Sequence, residues 1–260
     1  MSEGLILSVD HGAIRVLTLN RPDRRNALNR SLMAELGDRL DRASSSTTVR
    51  ALVLSGEGSC FCAGMDLSRL AVGQEIDQAE AIAETNSIAD LIDQIHQFPK
   101  LTIAALNGDA LAGGAGLALA CDFVVARETA RIGYPEILRG LVAAVVLPDL
   151  VQLGGLVLAR RLLLSGDLIT AKEAFAHGLI YQALPNNHEL STAVDLAQSL
   201  ARGGPMAIAM TKRLLNETAS RPNTLRGAAA VSASVRVSDE ATEGIRAFFE
   251  KRSPRWIETL

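Results

Sequence analysis

Two stretches decide how this chain reads: Phe61-Cys62-Ala63-Gly64-Met65-Asp66-Leu67 and Asn107-Gly108-Asp109-Ala110-Leu111-Ala112-Gly113-Gly114-Ala115-Gly116. Each follows an apolar run and leads into a helix-like pattern. Each is rich in residues small enough to let a ligand approach bare backbone. Set side by side, two such turns aim two main-chain N–H groups at one point. That is the arrangement needed to hold an enolate oxygen.

Around these turns the pattern alternates between strand and helix. Leu5–Val9 and Ile14–Leu19 flank His11-Gly12 and predict a β-hairpin. A basic polar turn, Arg21-Pro22-Asp23-Arg24-Arg25-Asn26, precedes a helix expected over Ser31–Arg42. Val49–Leu54 and Leu101–Leu106 are apolar apart from Arg50 and Thr102, as buried strands should be, and a long helical pattern from Gln78 to Gln97 separates them. Asp122–Ala126 returns as a strand. Such alternation argues for an α/β fold with a parallel sheet. From Ala143 onward helices dominate: Val145–Leu153, Leu156–Leu164, Ala171–Ala176, Leu190–Ala201, Met206–Ala219 and Asp239–Lys251. One short strand, Leu179–Leu184, interrupts them, and His177-Gly178 marks a helix end. The apolar faces of this half suit an oligomer.

Composition excludes several classes of function. A net charge of −3 with 48% hydrophobic residues does not make a nucleic-acid surface. No window approaches ~18 uninterrupted apolar residues, so no membrane span is expected. The acidic start Met1-Ser2-Glu3 lacks a signal peptide's basic end, and a cytoplasmic location is expected. Cys60, Cys62 and Cys121 form no metal-like quartet and are expected as buried thiols. The four histidines show no ligand spacing, so no metal is expected.

The second stretch invites a dinucleotide-binding reading and fails it, because Leu119 stands where G-x-G-x-x-G needs its last glycine. No P-loop and no G-x-S-x-G elbow occur either. A backbone cradle and one carboxylate remain. Glu136, in Gly133-Tyr134-Pro135-Glu136-Ile137, sits between apolar neighbours with no other charge nearby until Arg139. Such surroundings should raise its pKa towards neutrality, which suits proton transfer at carbon.

Taken together, F-C-A-G-x-D-L, N-G-x-A-x-x-G-G-x-G-L-A-L-A-C-D and G-Y-P-E-I resemble the crotonase superfamily, the enoyl-CoA hydratases and isomerases. Asn20-Arg21-Pro22, Asn26-Ala27-Leu28, Leu164-Ser165-Gly166-Asp167 and Glu243–Arg252 fit the same family, so the likeness spans essentially the whole chain. It implies a ββα spiral core over 1–195 and a helical C-terminal trimerisation region over 196–260, assembled as a homotrimer or homohexamer. It implies an acyl-CoA thioester substrate, with coenzyme A as part of that substrate and no separate cofactor. Carried onto this sequence, the catalytic residues are Glu136 and the backbone N–H donors of Met65 and Gly113. Substrate contacts fall at Arg24, Ala27, Ala63, Met65, Asp66, Leu67, Ser68, Gly113 and Lys251, with Asp66 also suited to cap a helix. The acyl pocket is expected around Leu70–Ile76 and Leu138–Val146.

One departure bears on the reaction. Hydratases of the best-known type carry two glutamates that hold the attacking water; Glu136 matches the second, and the first falls at Gly116. A lone base that shuttles a proton between carbons suits Δ3,Δ2-enoyl-CoA isomerisation. The run after Glu136 resembles instead a hydratase branch that includes methylglutaconyl-CoA-type enzymes, where glycine at the first position also occurs. Enoyl-CoA hydration is therefore expected, with isomerisation as the alternative and a non-catalytic acyl-CoA-binding protein as the second alternative.

Overall fold

The hairpin forms as expected, β1 (Ile6–His11) against β2 (Ile14–Leu19), antiparallel and in register from Ile6–Leu19 to His11–Ile14. The structure, a computed structural model, describes residues 4–68, 78–185, 187–220, 239, 243, 247 and 250–257. From β2 the chain adds parallel strands β3 (Ala51–Gly56), β5 (Leu101–Leu106), β7 (Phe123–Arg127) and β10 (Gln182–Leu184), giving a six-stranded sheet in the order β1-β2-β3-β5-β7-β10. A second sheet stacks the short strands β4 (Cys60–Cys62), β6 (Asp109–Leu111), β8 (Arg131–Gly133) and β9 (Leu168–Thr170). The pairs β3–β4, β5–β6 and β7–β8 each give one strand to each sheet. The result is the mixed α/β architecture of a ββα spiral.

Helices fill the returns: α1 (Arg30–Ser45), α2 (Gln78–His96), α3 (Gly113–Leu119), α4 (Leu147–Ser165), α5 (Ala171–Ala176), α6 (Glu189–Leu200) and α7 (Pro205–Ser220). Successive side chains of a strand point to opposite faces, and both faces of β3 and β5 are covered, so these strands are apolar apart from the buried Ser55 and Thr102. Leu17, Leu19, Leu52, Leu54 and Leu106 face one way, into a core shared with Leu32, Leu36 and Leu40 of α1 and Leu91 and Ile95 of α2. Val16, Val53, Ile103 and Val125 face the other way, under Ala193 and Ala197 of α6. The expected boundary at 195–196 thus falls inside a helix that packs on the sheet.

Several expected elements shift. Leu179 and Ile180 are buried, yet they precede β10 in a turn held by Leu179 N–H to Ala174 O and Tyr181 N–H to Val124 O. The two helices expected at Val145–Leu153 and Leu156–Leu164 are both present and meet at Gly155, whose φ of +72° no helix accommodates, with only the start moved to Leu147 and the end to Ser165. Val49 and Arg50 stand outside β3, with Arg50 drawn away to Ala201 O and Gly203 O. The helix expected over Asp239–Lys251 is described only at 239, 243, 247 and 250, all helical, and Lys251 lies beyond it in a turn. The segment Leu70–Ile76 and half of the closing motif lie outside the described residues. Among the described residues no helix is long and apolar enough to cross a membrane.

Candidate active site

The first turn is built by the loop before α1. Leu28 pairs with the chain on both sides of Met65: its N–H donates to Gly64 O at 2.8 Å, and its O accepts from Asp66 N–H at 3.0 Å. In such a parallel bridge the central residue's own N–H points to the opposite side. Met65 N–H accordingly has no protein acceptor among the described residues. Asn26, fully buried, fixes the loop itself, donating to Glu57 O and Cys60 O and accepting the Arg21 N–H. Arg21 then ties loop to turn: Nη1 donates to Ala27 O at 2.6 Å, and both terminal nitrogens reach Asp66 Oδ2 at 3.1 Å. Asp66 Oδ1 accepts the Ser68 N–H, as the expected cap would. Burial opposes the Asp66 charge, but the Ser68 and Arg21 hydrogen bonds outweigh it and hold the carboxyl below its usual range.

The second turn meets the first at Gly64. A Cβ there would come 2.6 Å from Ala112 Cβ and 3.3 Å from Gly113 N, and the φ of +86° favours glycine in any case. Ala112 is held at φ 54°, ψ −129°, with its N–H on Gly133 O at 2.9 Å. Gly113 opens α3, so its N–H has no acceptor within the helix. Met65 and Gly113, whose N–H groups have no acceptor among the described residues, therefore lie on turns in contact. A cavity of about 350 Å³ opens beside the Met65 turn, walled by Arg21, Leu28, Met33, Met65, Asp66 and Glu84.

Glu136 reaches this region because β6 and β8 run parallel, with Leu111 opposite Gly133. The two chains leave the sheet side by side, one as Ala112-Gly113 and the other as Tyr134-Pro135-Glu136. Glu136 lies in a 3-10 turn, Pro135–Arg139. Its Oε2 is buried without a hydrogen-bond partner among the described residues. Burial pushes its carboxyl pKa up, against weaker opposition from its own backbone and the Arg139 charge. Arg139 itself donates to Pro135 O. A carboxyl so placed holds its proton more readily than an exposed one.

Position 116 is walled off. A Cβ on Gly116 would lie 2.5 Å from Val146 Cγ1 and 2.9 Å from Ile92 Cδ1, both on buried side chains. Apolar groups occupy the space that a second acid would need.

Of the residues named from sequence, Ala27, Ala63, Met65, Asp66, Leu67, Ser68 and Gly113 gather at the two turns. Arg24 does not join them; its exposed guanidinium lies 3.8 Å from Asp23 and does not line the cavity. Lys251 is exposed at φ 54° and is not among the cavity walls either. Sequence reasoning missed Arg21 and Asn26 as the residues that set the first turn. Their place in the opening Asn20–Leu28 motif was the available signal, but the partner of Arg21 lies 45 residues on. The three cysteines are buried and free, and burial pushes the Cys62 and Cys121 thiols up to about 12.

Comparison with known proteins shows which family the chain belongs to. The sequence profile described as Enoyl-CoA hydratase/isomerase matches residues 10–259. A Thermus thermophilus protein provisionally named enoyl-CoA hydratase is 42% identical, covering 96% of this chain and 100% of its own. The 2,3-dehydroadipyl-CoA hydratase of Escherichia coli is 37% identical over 93% of this chain and 94% of its own. The crystal structure of an enoyl-CoA hydratase from Bacillus anthracis superposes with a TM-score of 0.90 at 29% identity, covering 96% of this chain and 98% of that one. The chain belongs to the enoyl-CoA hydratase/isomerase family and has the crotonase fold.

Proposed function

We propose that this protein is an enoyl-CoA hydratase that adds water to a 2-enoyl-CoA thioester, with Glu136 as its single proton carrier. The buried Glu136 Oε2, without a hydrogen-bond partner among the described residues and just past the strand that pairs with the one leading to Gly113, carries this reading. The thioester oxygen accepts from Met65 N–H and Gly113 N–H, which hold the negative charge that develops as C3 is attacked. The Glu136 carboxylate takes one proton from water as the oxygen bonds to C3. The resulting carboxylic acid returns that proton to C2, so H and OH are added across the double bond and the carboxylate is restored. The Arg21–Asp66 pair, Ala27, Ala63, Leu67 and Ser68 shape the channel to Met65, and the only cofactor chemistry is that of the substrate's own coenzyme A. Arg24 and Lys251 are proposed to meet the CoA phosphates.

The wall at Gly116 favours a second reading, Δ3,Δ2-enoyl-CoA isomerisation. There the Glu136 carboxylate removes a proton from C2 and returns it to C4, with no water to position. Crotonyl-CoA and 3-hexenoyl-CoA separate the two. Loss of the conjugated thioester absorbance from crotonyl-CoA marks hydration, and its appearance from 3-hexenoyl-CoA marks isomerisation. Tight CoA-ester binding with neither change returns the non-catalytic reading.

The protein is further proposed to be a homotrimer or homohexamer. Leu138, Val142, Leu156 and Val157 expose apolar side chains along one stretch, which supports burial against further copies. Light scattering giving a monomer mass at micromolar concentration would end that reading.

A further inference from the structure

Among the described residues, six side-chain polar atoms are buried without a hydrogen-bond partner, and three of them are Tyr134 Oη, Glu136 Oε2 and Asp149 Oδ2. Native interiors leave few such atoms orphaned, and a site with several suits ordered water. The three belong together. Tyr134 is 1% exposed and stands two residues before Glu136. Asp149 lies in the first turn of α4, the helix packed on the 3-10 turn that carries Glu136. The Tyr134 hydroxyl feels both carboxylates, since their charges add to burial in pushing its pKa up.

Asp149 Oδ2 does meet an ion-pair partner, His96 Nε2 at the end of α2, 3.3 Å away, so of the three atoms Tyr134 Oη and Glu136 Oε2 are the ones without any partner among the described residues. Ile92 and His96 are one helical turn apart on α2, and Val146 and Asp149 are one turn apart at the start of α4. The His96–Asp149 pair thus closes the same seam as the Ile92–Val146 wall at Gly116. The polar group missing at position 116 has a counterpart one turn along the two helices.

We propose that Tyr134, Asp149 and His96 form a water-linked polar chain that holds the Glu136 carboxyl, standing in for the absent acid at position 116. The inference rests on Glu136 being the proton carrier. Tyr134 donates through a buried water towards the Glu136 carboxylate, Asp149 orients the Tyr134 hydroxyl, and His96 anchors Asp149. All three are positioning residues. The other charged groups facing this chain are Asp93 on α2 and Lys212 on α7, beside His96, and Arg139 beside Glu136.

Tyr134→Phe tests the chain, because it removes only the hydroxyl. An orphaned hydroxyl would be lost at no cost, leaving stability equal or higher. In a working chain, kcat on crotonyl-CoA falls about tenfold while KM stays within about twofold. The acid limb of kcat/KM moves to higher pH, because the carboxylate loses a donor to its charged form. Asp149→Asn gives the same changes, and the double variant is no worse than either single one. A 13C-NMR titration of Glu136 in the two proteins reads the same effect without substrate, with the midpoint rising by about half a pH unit or more in Tyr134→Phe. His96→Gln repeats the test should Asp149→Asn fail to fold. An unshifted midpoint with unchanged or raised stability in Tyr134→Phe overturns the proposal. Activity surviving in Glu136→Gln would overturn the proposed function instead, whereas an inactive Glu136→Gln beside a normal Tyr134→Phe removes the polar chain alone.

Discussion

Replacing Gly116 by alanine tests the wall at the position where a second acid is missing. The new methyl would lie 2.5 Å from Val146 Cγ1 and 2.9 Å from Ile92 Cδ1. Carbon contacts settle near 3.5–4.0 Å, so the two side chains must yield by about 1 Å. Overpacking of this kind costs roughly 1–3 kcal/mol. Alanine in a helix recovers about 1 kcal/mol over glycine, and the net expectation is a loss of about 0–2 kcal/mol. Val146→Ala alone empties buried volume and costs roughly 1–3 kcal/mol. In Gly116→Ala/Val146→Ala the new methyl occupies the vacated space, so the double variant should be at least about 1 kcal/mol more stable than the sum of the singles. Urea unfolding at one fixed protein concentration measures all four proteins, with the concentration held because self-association shifts apparent stability. Strictly additive effects, with Gly116→Ala more stable than the parent, would refute the wall. If the wall stands, Gly116→Glu by itself creates no second acid that can reach water.

Gly113→Pro removes one proposed oxyanion donor at a helix position that accepts proline, and should lower kcat/KM by 10²–10³-fold, about 2.7–4 kcal/mol, with a retained circular dichroism spectrum. Met65→Ala keeps its N–H and should stay within about tenfold; equal damage from both would argue against main-chain catalysis. Arg21→Ala leaves the Asp66 carboxylate partly buried without its cation and should reduce kcat more than KM, with Arg21→Lys recovering part of the loss in steady-state assays. Glu136→Gln should stabilise the fold in a pH-dependent way. The folded pKa of Glu136 is raised above the ordinary 4.5, so burying its charge lowers stability as pH rises through that window. The melting-temperature advantage of the variant should therefore vanish below the ordinary carboxylate pKa and grow towards neutral pH.

How much of this was legible in the sequence depends on whether the cause was local. β5 at Leu101–Leu106 and α5 at Ala171–Ala176 match their expected bounds to the residue. An apolar run buried on both faces defines the first, and the Thr170–Glu173 capping box fixes the start of the second. Leu179–Ile180 misled because apolar residues packed beneath a helix look like strand residues; only tertiary contacts separate the two. The turns at Met65 and Gly113 were visible because main-chain chemistry demands small residues in a row. Arg21–Asp66 and Tyr134–Asp149–His96 were not, since their members come from distant segments and no periodicity links them. Gly116 could be recognised as a missing acid, but the side chains filling its place come from α2 and the start of α4.

The central claim is that one carboxyl, Glu136, carries the proton for a thioester held by two main-chain donors. Turnover of crotonyl-CoA and 3-hexenoyl-CoA by the parent and by Glu136→Gln, each at equal CoA-ester occupancy, tests it most directly. The account predicts that the parent converts at least one of the two and that the variant loses about 10²–10⁴-fold in kcat while still binding the ester. A Glu136→Gln protein within about tenfold of the parent on the same substrate would contradict it.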